Sequence, residues 1–156
     1  MCGIAGTVYS SDYQQGICVN PDDLLVLLDQ IENGSAPSSS LLDMAWKYKS
    51  NINFIRYCKS ASEREKIRLL CDRIFIQSER KKEELPLIDK SFSLDLYKAH
   101  VKDWECLVDA HWFFSNELDK TRNAIDSLAG LPASDINDAS LVLFRDLTKI
   151  IHAIDN

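Results

Sequence analysis

Apolar residues fall along this chain in two rhythms. In residues 2–9, CGIAGTVY, small and apolar side chains run together without helical spacing and end in Thr7, Val8 and Tyr9. That run predicts a buried strand of about six to eight residues. SDYQQGICVN, residues 11–20, is polar and predicts a loop. From there every apolar pattern has a helical period. Asn20 is placed to cap a helix, Pro21 suits its first position, and Asp22 and Asp23 favour the positive end of its dipole. Leu24, Leu25, Leu27, Leu28 and Ile31 follow at helical spacing, and Asn33-Gly34 supplies the stop.

SAPSSS, residues 35–40, predicts a loop and then a cap. Residues 41–57 have a helical pattern that KSNINF weakens in the middle. Ser62 with Glu65 forms the Ser-x-x-Glu of a capping box, opening a helix that carries Ile67, Leu70, Cys71, Ile74 and Phe75 and ends before Pro86. A long helix is predicted over residues 94–129. In it Trp104, Leu107, His111, Phe114, Leu118, Thr121, Ile125 and Leu128 alternate by three and four, a heptad seam of the kind antiparallel helices bury. Gly130-Leu131-Pro132 ends it. The last helix starts near Asp138 and carries Leu141, Leu143, Phe144, Leu147, Ile150, Ile151 and Ile154 over so wide an arc that cover is expected on more than one side.

The fold class expected is therefore mainly α: one N-terminal strand followed by about five helices in an antiparallel bundle. A single strand cannot form a sheet, and its backbone groups need partners from elsewhere.

Composition narrows the functions. The 156 residues carry a net charge of −6, which argues against a nucleic-acid partner because phosphate binding needs clustered Lys and Arg. Residues 62–90 are charge-rich but nearly balanced and read as a solvated helix face. No apolar run reaches about eighteen residues, and no basic stretch leads into an apolar one, so neither a membrane span nor a signal peptide is expected. The cysteines (Cys2, Cys18, Cys58, Cys71 and Cys106) are odd in number, widely spaced and without C-x-x-C, which suits a reducing, cytoplasmic setting. His100, His111 and His152 have no metal-ligand spacing, and His111 falls on the apolar seam. Trp46, Trp104 and Trp112 read as packing residues. No metal and no cofactor is expected.

The remaining chemistry is at the start. Initiator Met is trimmed before a residue as small as cysteine, which would leave Cys2 with a thiol and a free α-amine on one carbon. The thiol can attack a carboxamide carbonyl while the amine, which titrates near neutrality, accepts its proton. Gly3 lets backbone and substrate approach closely.

MCGIAG resembles the start of the class II glutamine amidotransferases, N-terminal-nucleophile enzymes that include glucosamine-6-phosphate synthase, asparagine synthetase and amidophosphoribosyltransferase. The resemblance implies that Cys2 is the glutaminase nucleophile. It implies a parent domain folded as an α/β/β/α sandwich with residues 2–9 as its first strand. The family's Arg-Gly-x-Asp segment does not occur here, and the only Asn-Gly, Asn33-Gly34, sits at a helix end rather than in the family's strand-turn setting. LVLFRDLTKIIHAIDN resembles the helix that precedes the Arg-Gly-x-Asp strand in the glucosamine-6-phosphate synthase type. The resulting organisation is residues 1–20 as the first strand and loop of an incomplete amidotransferase domain, 21–131 as a helical insertion, and 132–156 as a helix returning to that domain. The resemblance further implies glutamine and a sugar phosphate as substrates of the parent protein, with the rest of the amidotransferase and a sugar-isomerase-like domain as partners. The chain alone is then expected to be inactive, since one missing oxyanion donor removes about 2.7–4 kcal/mol of transition-state stabilisation. An asparagine synthetase-type fragment and a non-catalytic helical interaction module are the alternatives.

Overall fold

The computed structural model describes residues 16–88, 91 and 93–155, and these are mainly α-helical, with no strand among them. The strand expected over residues 2–9 lies outside the described residues. Helix α1 spans Pro21–Glu32 and begins as its sequence predicts, with Asn20 Oδ1 accepting from the Asp22 N–H at 3.0 Å and Pro21 in the first turn. At its end Gly34 takes φ +84°, a left-handed conformation that L side chains rarely adopt, and its N–H reaches the Ile31 carbonyl.

The helical pattern over residues 41–57 is divided in two. Helix α2 covers Ser38–Tyr48 and α3 covers Asn51–Lys59, with Ser50 extended between them. The polar stretch that weakened the pattern makes the break tolerable: Asn53 Nδ2 donates to the Lys47 carbonyl at 3.3 Å and to Ser50 Oγ at 2.7 Å. The Lys47 carbonyl at the end of α2 accepts also from the Ser50 N–H at 3.3 Å, so a turn bond and a side chain of α3 together replace its regular helical partner.

Helix α4 spans Ala61–Glu84. It is capped by Ser60, whose Oγ accepts from the Glu63 N–H at 3.1 Å, and not by the Ser62–Glu65 pair that the sequence suggested. The same Ser-x-x-Glu spacing recurs two residues earlier, and the Ser60 N–H also closes α3 onto the Arg56 carbonyl. A one-turn 3₁₀ helix, Leu85–Leu87, then accommodates Pro86.

The long helix over residues 94–129 has three parts. Helix α5 is Leu94–Trp112, a π-helical turn occupies Phe113–Glu117, and α6 is Leu118–Ala129. Phe113 and Phe114 are adjacent in sequence yet both buried, with ring centroids 5.1 Å apart and edge to face. A regular helix turns consecutive side chains about 100° apart, and the wider π turn is where that rotation is relaxed. Ser115 Oγ donates back to the His111 carbonyl at 2.6 Å in the same turn. Gly130 ends α6 at φ +75°. After a 3₁₀ turn, Ala133–Asp135, helix α7 covers Asp138–Asp155, with Asn137 Oδ1 accepting from the Ser140 N–H at 2.9 Å.

The described residues fall into two compact units drawn from separate stretches of chain. One comprises residues 16–18, 47–65 and 116–155. In it α7 packs on both α3 and α6, and the 3₁₀ turn Ala133–Asp135 touches both α3 and α6. Its buried apolar residues include Tyr48, Phe54, Tyr57, Cys58, Leu118, Ile125, Ile136 and Leu141. Arg64 Nη1 donates to the Tyr57 and Cys58 carbonyls at 2.9 and 2.8 Å, a cation placed where the dipole of α3 ends negative. The other unit comprises residues 19–46 and, among the described residues, 66–115. Arg73 of α4 reaches both Asp29 and Glu32 of α1, and Lys66 lies 3.1 Å from Asp22. Phe75 of α4 meets the ring of His111 on α5 at 5.6 Å. Buried Leu24, Leu28, Ile67, Leu70, Ile74 and Leu107 belong to this unit.

Helix α7 departs from its expected cover. Leu141 and Arg145 are buried, whereas Leu143, Ile150 and Ile154 are 59%, 56% and 77% exposed. Only one arc of this broadly apolar helix is packed in the chain as described.

Candidate functional site

The nucleophile singled out by the sequence, Cys2, and the neighbouring Gly3 lie outside the described residues. What is described is the point at which the segment carrying them joins the helices. Gly16 adopts φ +55°, and a Cβ built there would stand 2.3 Å from the Ser50 Cβ, so glycine is required both by conformation and by space. The Ile17 carbonyl accepts from Asn53 Nδ2 at 2.7 Å and from Ser50 Oγ at 3.1 Å. Cys18 Sγ accepts from Arg56 Nη1 at 2.9 Å. Residues 17 and 18 are therefore held along one side of α3 by Ser50 at its N-terminus and by Asn53 and Arg56 within it.

Arg56 belongs to a larger polar cluster. Its Nε donates to Glu63 Oε1, and its Nη2 lies 3.3 Å from Asn53 Oδ1. Buried Tyr48 donates its hydroxyl to Glu63 Oε2. Glu63 is itself buried, so its charge is balanced by one guanidinium and its second oxygen is bonded by one phenol in place of water. Burial, then the hydrogen bond and charge of Glu63, raise the Tyr48 phenol above the ordinary tyrosine range. Burial works to lower Arg56, but the Glu63 hydrogen bond and charge outweigh it and leave the guanidinium raised. The cluster holds one fixed negative charge between two donors. It can orient α3, the first turn of α4 and residues 17–18, and it offers neither an unmatched acid nor an unmatched base.

A second polar arrangement lies on α7. Arg145, 5% exposed, donates from Nη1 to Asn51 Oδ1 at 3.0 Å and sets its guanidinium 4.4 Å from the centre of the Phe54 ring. A cation over an aromatic face retains part of the stabilisation that burial takes from it. Sequence reasoning missed both clusters. A signal for the second was present: Arg145 interrupts LVLF and LTKII on the arc that faces inward.

The other candidates read from the sequence are dispersed. Cys58, Cys71 and Cys106 are buried and Cys18 is exposed. Burial pushes the Cys58 thiol up to about 12, with the charges of Arg122, Arg145 and Arg64 opposing it, and burial also raises Cys106. Thiols held neutral in this way are poor nucleophiles. His100 Nε2 lies 3.8 Å from Glu84, His111 is half-buried against Phe75, and His152 is exposed on α7. Among the described residues no group of three or more His, Cys, Asp or Glu side chains could hold a metal ion, and no helix is long and apolar enough to cross a membrane. Trp46 and Trp112 are exposed and Trp104 is half-buried. Asn33-Gly34 ends a helix, as its sequence setting predicts.

A cavity of about 320 Å³ opens between the α1–α2 loop and the ion pair of Lys81 with Asp103, lined also by Ile31, Gly34, Ser35, Ala36 and Pro37. Its volume is at the lower end for ligand sites. Asp103 accepts from the Ser38 N–H at the start of α2 at 3.3 Å and stands 3.5 Å from Lys81. The carboxylate thus already answers both the helix N-terminus and the cation that an anionic ligand would use. Compared with known proteins, the chain matches no family model, no curated protein and no solved structure.

Proposed function

We propose that the chain is the N-terminal portion of a glutamine-dependent amidotransferase whose nucleophile is Cys2. The observation that carries this reading is the placement of a cysteine at position two directly before Gly3-Ile4-Ala5-Gly6. The formation of a helix over Asp138–Asp155, where the resemblance expects one, is in keeping with it. After removal of Met1 the Cys2 thiol attacks the side-chain carboxamide of glutamine while its own α-amine takes the thiol proton. The carbon–nitrogen bond breaks, the nitrogen leaves as ammonia with that proton, and water hydrolyses the thioester to glutamate. Ammonia then passes to a sugar phosphate bound by an isomerase-like domain of the parent protein, as in glutamine:fructose-6-phosphate aminotransferase. An asparagine synthetase-type acceptor is the rival within the same reading.

Intact mass tests the first requirement. Loss of Met1 with a free Cys2 amine is expected, and a retained or acetylated Met1 removes the nucleophile. Labelling of the parent protein with a diazoketone analogue of glutamine, followed by peptide mapping, tests the second. Cys2 is expected to react first and to be protected by glutamine, whereas the buried thiols of Cys58, Cys71 and Cys106 stay unlabelled. Preferential labelling of any of those three, or no protection, refutes the reading. The chain alone is expected to release little or no glutamate, and full turnover that Cys2→Ala abolishes would show that no essential group is missing.

A second reading, a non-catalytic helical interaction module, is favoured by one specific observation, the apolar arc that α7 leaves exposed. Met1 retention would leave this reading standing and remove the first.

A further inference from the structure

The outward arc of α7 has an order that its exposure alone does not convey. Leu143, Leu147, Ile150 and Ile154 succeed one another by four, three and four residues, and all are exposed, with Ile151 exposed on their flank. That alternation is the seam of a two-helix coiled coil. It runs about 17 Å along the helix at 1.5 Å per residue. The opposite arc is already occupied, because Leu141 is buried and Arg145 lies over Phe54.

The seam is complementary to itself. When two copies of α7 lie antiparallel about a two-fold axis between Thr148 and Lys149, Leu147 meets Ile150 of the second copy and Leu143 meets its Ile154. Every layer then pairs one leucine with one isoleucine. On one flank Phe144 faces Ile151, which covers an exposed side chain. On the other Asp146 faces Ala153, so no like charges oppose each other. A parallel pairing would set Asp146 beside Ile151 and leave the flanks mismatched.

We propose that α7 is a self-association surface and that its occupant is a second copy of this chain, bound antiparallel. Patches of this kind cover about 300–600 Å² on one molecule. Two facing patches together reach roughly 1,000 Å², the lower limit of a specific interface, so association is reversible and concentration-dependent. The proposal uses no residue of the N-terminal segment and concerns this chain by itself; in the amidotransferase reading the same arc of α7 would lie against the parent domain's sheet.

Sedimentation equilibrium of the full chain from about 1 to 500 µM tests it, a range that spans weak, reversible association. The average mass is expected to rise from one chain toward two. Ile150→Asp places a charge in the central layer of both copies and is expected to weaken association at least about tenfold. Because Ile150 is exposed in the single chain, its helical circular dichroism should be unchanged, and Leu147→Asp supplies a second variant with the same expectation. A photoreactive benzophenone side chain at position 150 should yield a cross-linked dimer through the peptide containing residue 147 of the second copy. A monomer at every concentration overturns the proposal. So does a dimer indifferent to both aspartates, or a cross-link formed instead within one chain to residues 1–15.

Discussion

Replacing Glu63 by glutamine tests whether the polar cluster at the start of α4 holds that part of the chain together. Glu63 accepts from the Tyr48 hydroxyl and from Arg56 Nε, and it is only 6% exposed. Glutamine keeps the shape. Its one carbonyl oxygen can serve Tyr48, but its amide then turns N–H groups toward the guanidinium. The change converts one hydrogen bond from charged to neutral and removes the other together with the ion pair. Hydrogen bonds to charged groups contribute about 1.5–3 kcal/mol, and removing one member of a buried pair costs about 3–5 kcal/mol. The Arg56 side chain keeps 30% of its exposure and can recover water, which moves the expectation below that range. A loss of about 2–3 kcal/mol is expected, equivalent to a fall of about 4–12 °C in Tm for a chain of this size. Urea and thermal unfolding followed by circular dichroism read the change. A double-mutant cycle with Arg56→Met isolates the pair, with a coupling of about 1.5–3 kcal/mol expected. A Glu63→Gln cost below about 0.5 kcal/mol, or strict additivity in the cycle, would refute the claim that the cluster is a coupled unit.

Two further outcomes follow from the buried groups. Burial holds the Cys58 thiol neutral in the folded chain up to about 12, while an exposed thiol ionises near 8.5. Its stabilising contribution is therefore whole below pH about 8.5 and is lost as pH rises toward 12, by at most about 1.4 kcal/mol per pH unit. Between pH 8 and 10.5 the wild-type protein should lose more Tm than Cys58→Ala, and parallel curves for the two would show that the thiol is not the titrating group. Ser38 Oγ is fully buried with no partner among the described residues, so Ser38→Ala should stabilise by about 0.5–1 kcal/mol by removing a desolvated hydroxyl. A destabilisation of that size in chemical denaturation would mean that the hydroxyl is bonded in solution.

The helical character and most of the helix ends were legible in the chain. Asn20-Pro21, Asn33-Gly34, Gly130 and Asn137-Asp138 act through a few adjacent residues, and backbone conformation at such positions depends on local sterics and hydrogen bonds. Where two local solutions were equally available, the sequence could not choose. Ser60 and Ser62 both begin a Ser-x-x-Glu, and Ser60 is selected because its N–H also completes α3. The division of residues 41–57 into α2 and α3 is likewise accommodated by contacts across the break, with the Ser50 N–H and Asn53 both reaching the Lys47 carbonyl. The π turn at Phe113–Glu117 is a matter of burying two consecutive aromatic rings, which no helical period records.

The chemistry divides in the same way. The case for Cys2 is a property of the sequence alone, because it depends on the run Cys2-Gly3-Ile4-Ala5-Gly6 and not on contacts. The clusters around Glu63 and Arg145 needed the tertiary structure, since Tyr48 and Asn51 lie 15 and 94 residues from their partners. The last helix separates the two kinds of information most sharply. Its composition determines that α7 is apolar over a wide arc. Only packing decides which part of that arc is used, because burial depends on where the rest of the chain has been brought. Leu141 and Arg145 were taken inward, and the seam from Leu143 to Ile154 was left facing water.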